Sequence, residues 1–186
     1  MRTLLAVSAA IDALNRRVGR ALIWLIGLSV LISAGNAIVR KAFDISSNAW
    51  LEAQWYLFAA AFLGAAGYVL LVDEHVRIDA LAQRFPPRVR AALDIGVMLV
   101  FVLPICALMV VLGTDIAWTA WQTDEMSYNA GGLPRWPVYA TMPIGFALLA
   151  LQSLSEIIKR WAFMRGHRAS PRTTEADLPP LLGGAP

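Results

Sequence analysis

Apolar residues along this chain are gathered into four runs that no charged residue interrupts. Each run is 19 or 20 residues long, and the four runs are Ala21–Val39, Ala53–Val72, Ile95–Thr114 and Trp136–Ser155. A helix rises about 1.5 Å per residue, so a run of this length spans about 30 Å, the thickness of the hydrocarbon core of a bilayer. One charge at the centre of a bilayer costs roughly 2.5–3.5 kcal/mol on insertion scales. The pattern therefore predicts an all-α integral membrane protein with four transmembrane helices, rather than the buried helices of a soluble domain.

The positions of Lys and Arg predict the orientation of these helices. Of the 16 basic residues, 13 lie in the N-terminal segment, in the loop between the second and third runs, and in the C-terminal segment. The other two loops hold only Arg40, Lys41 and Arg135. Because cytoplasmic loops carry an excess of Lys and Arg, we predict that both termini lie in the cytoplasm.

The first twenty residues differ from the four runs because charged residues interrupt them. Their apolar residues recur every three or four positions, as on one stripe of a helix: Leu4, Val7, Ile11, Leu14 and Val18. A cleaved signal peptide would place small residues after its apolar segment, whereas Arg16 and Arg17 follow here. We predict an amphipathic helix over residues 1–20 that is retained and lies on the cytoplasmic surface of the membrane.

The last residues of the chain show a third pattern. Residues 166–186 contain four Pro and three Gly with little periodicity, which predicts a disordered cytoplasmic tail. The expected organisation is thus a surface helix over 1–20, a four-span membrane domain over 21–165, and this tail.

Composition narrows the chemistry that such a protein can perform. Only 16% of residues are charged and 58% are hydrophobic, with a net charge of +3. Ion coupling and haem ligation normally require ionisable residues inside the membrane, yet both histidines, His75 and His167, lie outside the runs. The single Cys106 provides no thiol pair. We therefore predict no catalytic, metal-binding or cofactor-binding residue. The alternative is a small membrane redox enzyme or quinone-linked protein, which would need a metal, a haem or a reactive thiol.

Small residues within the runs indicate where helices pack. Closely spaced Ser, Ala and Gly let helix backbones approach each other in lipid, where van der Waals contact drives association. The candidate packing positions in the first two spans are Ser29, Ser33, Ala37, Ala60, Gly64 and Gly67. Pro104 and Pro143 would each remove a backbone hydrogen bond and bend the third and fourth spans.

The loops carry the most specific patterns. The segment from Asp115 to Arg135 is long for a structureless connection, so we expect a short helix or a docking surface there. Four motifs occur in order: Glu52-Ala53-Gln54-Trp55-Tyr56-Leu57-Phe58, Asp73-Glu74-His75-Val76-Arg77-Ile78-Asp79, Glu125-Met126-Ser127 and Gly132-Leu133-Pro134-Arg135-Trp136-Pro137. As an ordered set they resemble the small membrane subunit (DctQ type) of a tripartite ATP-independent periplasmic (TRAP) transporter. The resemblance covers about residues 15–165.

The resemblance implies a division of labour among three components in the inner membrane of a bacterium. A periplasmic binding protein would deliver a carboxylate-type solute to a large permease subunit, which carries the substrate and sodium sites. The small subunit would pair with the large one and widen its static scaffold, without a cofactor and without binding nucleic acid. Its partners would then be the large subunit, the binding protein and membrane lipids.

The same resemblance suggests roles for individual residues. The positions expected to have structural roles are Glu52, Gln54, Glu74, His75, Arg77, Asp79, Gly132, Pro134, Arg135 and Trp136. Three charges on the predicted periplasmic side, Asp124, Glu125 and Arg135, are candidates for docking the binding protein.

Overall fold

The computed structural model describes residues 1–44, 47–72 and 85–170, and this part of the chain is predominantly helical. Its elements are α1 (Arg2–Phe43), α2 (Asn48–Leu71), α3 (Pro87–Val97), a π-helical turn (Met98–Val102), α4 (Leu103–Gln122) and α5 (Trp136–Met164). Four helical segments in the described ranges are long and apolar enough to cross a membrane: α1, α2, the continuous helix Pro87–Gln122, and α5. Each of these segments contains one of the four uncharged runs. The one residue of a run that lies outside its helix is Val72, the C-cap of α2. The prediction of four membrane-spanning helices is confirmed.

The first half of α1 is not a separate helix. α1 continues without a break for 42 residues, so the segment predicted as a surface helix is joined directly to the first span. Ser8, Asn15 and Gly19 point into the protein, whereas Leu4 and Leu14 of the predicted apolar stripe are exposed. The physical reason is that the polar stripe has partners on α5, which local periodicity does not reveal. The placement of this half at a membrane surface stays a prediction.

α5 is the helix on which the others converge. It packs against α1, α2, α3 and α4, and α1 also packs along α2. Large apolar side chains elsewhere remain exposed, including Trp24, Phe62 and Val111. Such surfaces suit helices surrounded by lipid or by another apolar helix rather than by water. We call the end where α1 begins and α5 finishes the termini end, and the opposite end the hairpin end.

The candidate packing positions do not all lie at helix contacts. At Gly64 an added Cβ would lie 3.2 Å from the Leu22 side chain, and at Gly67 it would lie 2.2 Å from Asn15 Oδ1. Ser29 is buried, and its hydroxyl donates a hydrogen bond of 3.0 Å to the Gln54 carbonyl. Of the other three positions, Ser33 and Ala60 are partly buried and Ala37 is exposed.

Each of the two prolines has a structural consequence in its span. Pro104 has no N–H to donate, and directly before it the Leu103 N–H bonds to the Met98 carbonyl in a π-helical turn. Pro143 lies inside α5 against Gly113, where an added Cβ would come within 2.9 Å of the proline ring. The contact between α4 and α5 therefore depends on a residue without a side chain.

At the termini end, five ionisable side chains form what we call the ionic cluster: Asp12, Asp94, Glu156, Lys159 and Arg160. Lys159 Nζ lies 3.1 Å from Asp12 Oδ2, and Arg160 Nε lies 3.0 Å from Asp94 Oδ2. Both bases also contact Glu156, and the side chains of all three α5 residues are at most 3% exposed. Since the partners come from α1, α3 and α5, the cluster joins three helices.

A layer of uncharged polar groups connects the ionic cluster to the helix interfaces. Gln152 Nε2 donates to Asp12 Oδ1 at 2.8 Å, and Asn15 Nδ2 donates to Gln152 Oε1 at 2.9 Å. The hydroxyls of Ser8 and Ser155 share a hydrogen bond of 2.7 Å. α1 and α5 are thus joined by polar contacts over two turns of α1. These contacts explain why the first twenty residues stay packed against the rest of the protein.

Replacing Gly67 with Ala should destabilise the protein by about 1–3 kcal/mol, because the added methyl group would overlap Asn15 and approach the Leu148 carbonyl at 3.0 Å. Gly27→Ala is the matched control, since a methyl group added there would meet nothing within 4 Å. Thermal unfolding in detergent measures both. Equal midpoints for the two variants would contradict this packing.

Replacing Lys159 with Met should cost about 3–5 kcal/mol, since Asp12 and Glu156 would lose their common ammonium partner in a buried site. The control Lys41→Met removes a lysine from the exposed last turn of α1. The unfolding midpoint should fall for Lys159→Met alone, and a similar change in both would argue against a stabilising cluster.

Candidate functional site: a hydrogen-bonded hairpin at one end of the helices

The connection between α4 and α5 forms a short antiparallel hairpin over residues 125–135, which we call the hairpin. The Ser127 N–H donates to the Leu133 carbonyl at 3.0 Å, and the Arg135 N–H donates to the Glu125 carbonyl at 2.9 Å. Gly131, in the turn, has a φ of 70°, a conformation that glycine adopts without strain. The sequence predicted a short helix or a docking surface over residues 115–135. The structure has no separate helix there, because α4 continues to Gln122 and the hairpin occupies the remainder, and the docking surface stays a prediction.

The carboxylate of Glu52 holds the hairpin against α2. Glu52 is only 2% exposed, and its oxygens accept hydrogen bonds from Asn129 Nδ2 at 2.8 Å and from the Leu133 N–H at 2.6 Å. The Ser127 hydroxyl is a third donor. A buried carboxylate is tolerated where several donors replace its water, and here three donors come from one hairpin.

Gly132 makes this close approach possible. A Cβ at this position would lie 2.5 Å from Ser127 Cβ and 2.9 Å from Glu52 Oε2. Any side chain would therefore push the hairpin away from the carboxylate. Two residues predicted from separate motifs, Glu52 and Gly132, thus belong to one site.

Two further residues of α2 bind the backbone of the hairpin. Tyr56 Oη donates to the Pro134 carbonyl at 3.2 Å, and Asn48 Nδ2 donates to the Ala130 carbonyl at 3.0 Å. Asn48, Glu52 and Tyr56 recur every four residues, so they share one face of the helix. The first turns of α2 therefore present a line of polar groups to the hairpin.

The charges proposed for docking are not all free. Arg135 Nη1 lies 3.3 Å from Glu125 Oε1 and donates to Tyr139 Oη at 3.2 Å. The hydrogen bond to Tyr139 holds the pKa of the Arg135 guanidinium above its ordinary value. Glu125 and Arg135 thus neutralise each other within the hairpin, whereas Asp124 is exposed with a φ of 47°.

Three tryptophans surround the junction of α4, α5 and the hairpin. Trp136 contacts Trp121 edge to face with ring centroids 4.8 Å apart. These rings and Trp118 line the end of an apolar groove of about 460 Å³ between α4 and α5. Tryptophans are enriched at membrane–water interfaces, so their position indicates where the hairpin end leaves the membrane.

The remaining predicted positions lie elsewhere. Gln54 is partly buried on α2, and its backbone carbonyl accepts the Ser29 hydrogen bond. The predicted positions Glu74, His75, Arg77 and Asp79 lie outside the described residues. Within the described ranges, no group of three or more His, Cys, Asp or Glu residues could hold a metal ion.

Several residues of the hairpin site and of the ionic cluster were not predicted from the sequence. The sequence did not identify Asn129 and Ser127 as hydrogen-bond partners of Glu52, or Asn48 as a second contact between α2 and the hairpin. The ionic cluster was also missed, although Glu156 precedes Lys159 and Arg160 by three and four residues, a spacing that places them on one face of a helix.

Comparison with known proteins gives one family. The family model described as "Tripartite ATP-independent periplasmic transporters, DctQ component" matches residues 29–163, well over half of the chain. A search of curated proteins and a search of solved structures each gave no match. The matched range begins within α1 and ends within α5, so it includes the hairpin and all its partners on α2.

Replacing Glu52 with Ala should release the hairpin and accelerate tryptic cleavage after Arg135, because three donors lose their acceptor. Glu52→Gln should have an intermediate effect. The amide oxygen can still accept hydrogen bonds from the hairpin, but the NH₂ group replaces the second oxygen and would face another donor. The control is Asp115→Ala, an exposed carboxylate on α4. Cleavage of Glu52→Ala at the rate of the control would contradict the role of Glu52.

Proposed function

The chain belongs to the DctQ component family of the tripartite ATP-independent periplasmic transporters, and on this premise we propose that it is the non-catalytic scaffold subunit of a sodium-driven importer of an organic acid. The family assignment confirms the resemblance carried by the ordered sequence motifs. The chain is therefore a small permease subunit of a TRAP transporter and a multi-pass membrane protein.

The observation that carries the scaffold proposal is the distribution of charge. The four uncharged runs contain no Asp, Glu, Lys, Arg or His. In the ionic cluster, Asp12 precedes the first run, Asp94 directly precedes the third, and the other three residues follow the fourth. Glu52 directly precedes the second run. Transport of a coupled ion usually leaves ionisable groups within the membrane, so we assign sodium and solute binding to the large subunit.

The exposed apolar surfaces support a subunit that works in a complex. α1, α2 and α4 expose many large apolar side chains, which suit lipid and the helices of a large permease subunit. The excess of basic residues near both termini supports a termini end in the cytoplasm and a hairpin end in the periplasm of a bacterial inner membrane. There the hairpin would meet the periplasmic binding protein, with Asp124, Glu125 and Arg135 as its candidate charged residues.

Reconstitution tests this function. The large subunit is placed in proteoliposomes with or without this chain, and the binding protein is added outside with the labelled organic acid that most stabilises it in a panel of mono- and dicarboxylates. Uptake should require this chain and an inward sodium gradient, and should fail with an equal potassium gradient. Full uptake without this chain would overturn the scaffold role, and uptake independent of sodium would overturn the proposed coupling.

A further inference from the structure

The turn of the hairpin presents an aromatic side chain to its surroundings. Tyr128 is 88% exposed, more than any other large apolar or aromatic side chain in the described part of the chain. Met126, two residues earlier, is 52% exposed. By contrast, the side chains of Glu125 and Arg135 are about one-third exposed and are paired with each other. The hairpin therefore exposes an aromatic ring and an apolar side chain close together.

This exposed surface is held by an ordered backbone. The Arg135 guanidinium lies 4.4 Å from the centroid of the Tyr128 ring. The backbone of the turn is fixed where Asn48 binds the Ala130 carbonyl and Glu52 accepts from the Leu133 N–H. Aromatic residues on pre-ordered segments give much of the affinity in protein interfaces, because little conformational freedom is lost on binding.

The turn also lies outside the four uncharged runs. Asn48, which binds the Ala130 carbonyl in the turn, begins α2 five residues before the second run starts at Ala53, about 7.5 Å of helix. Since the runs are the segments that match the hydrocarbon core in length, we place the surface beside Asn48 outside the acyl chains.

We propose that Tyr128 and Met126 form an apolar anchor through which the hairpin contacts the periplasmic binding protein. The inference rests on the proposed function, and it assigns the contact to the aromatic turn rather than to Glu125 and Arg135. Because these two charges are already paired, and Asp124 is the only other charged residue between α4 and α5, the association depends only weakly on salt.

The test uses the complete complex of this chain with its large subunit in lipid nanodiscs, and measures the affinity of the solute-loaded binding protein. Tyr128→Ala weakens binding about tenfold or more, whereas Tyr128→Phe keeps the ring and binds nearly as the wild type. The control is Phe43→Ala, which removes an exposed aromatic ring at the same end of the helices. Raising potassium chloride from low to high concentration at fixed sodium changes the wild-type affinity little.

The outcomes separate this inference from the proposed function. If the wild-type chain forms no complex with the large subunit, the proposed function fails. If the complex forms but Tyr128→Ala binds like the wild type, or if salt sharply weakens wild-type binding, the apolar anchor is wrong.

Discussion

A carboxylate removed from water must be surrounded by hydrogen-bond donors, and this constraint at Glu52 organises the hairpin end of the protein. The three donors come from a hairpin more than seventy residues away, so satisfying one side chain on α2 positions the whole connection between α4 and α5. Gly132 allows the approach, and Asn48 and Tyr56 extend it along the same helix face. A connection that would otherwise adopt many conformations thus becomes a surface of fixed shape.

The opposite end follows the same physical rule with different groups. In the ionic cluster, the charged side chains of α5 are buried, and each has a partner of opposite sign on α5 itself or among the partly exposed Asp12 of α1 and Asp94 of α3. Between the two ends, the helices contact one another through small residues such as Gly64 and Gly113. Polar contacts at both ends and close apolar packing between them suit a rigid unit, as the proposed scaffold role requires.

The four spans were predictable because lipid excludes charge, and that exclusion is visible as uncharged runs in any single sequence. Family motifs singled out Glu52, Gly132 and Arg135 as structural positions but did not place them together. The structure brings Glu52 against Gly132 and places Arg135 in the same hairpin. The continuity of α1 was not predicted, since it depends on Ser155 and Gln152, which lie more than 130 residues away. Local periodicity reports which side of a helix is apolar, but α1 turns its polar side inward because another helix satisfies it. For the same reason, the partners of Glu52 became evident only from the structure.

The hairpin is an ordered surface held by a buried carboxylate. Hydrogen exchange of the peptide containing residues 125–135, in the complete wild-type protein in lipid, tests it most directly. The amides of Ser127, Leu133 and Arg135 all donate hydrogen bonds, so they should exchange far more slowly than those of an unstructured chain. Exchange at the rate of an unstructured peptide would contradict the account.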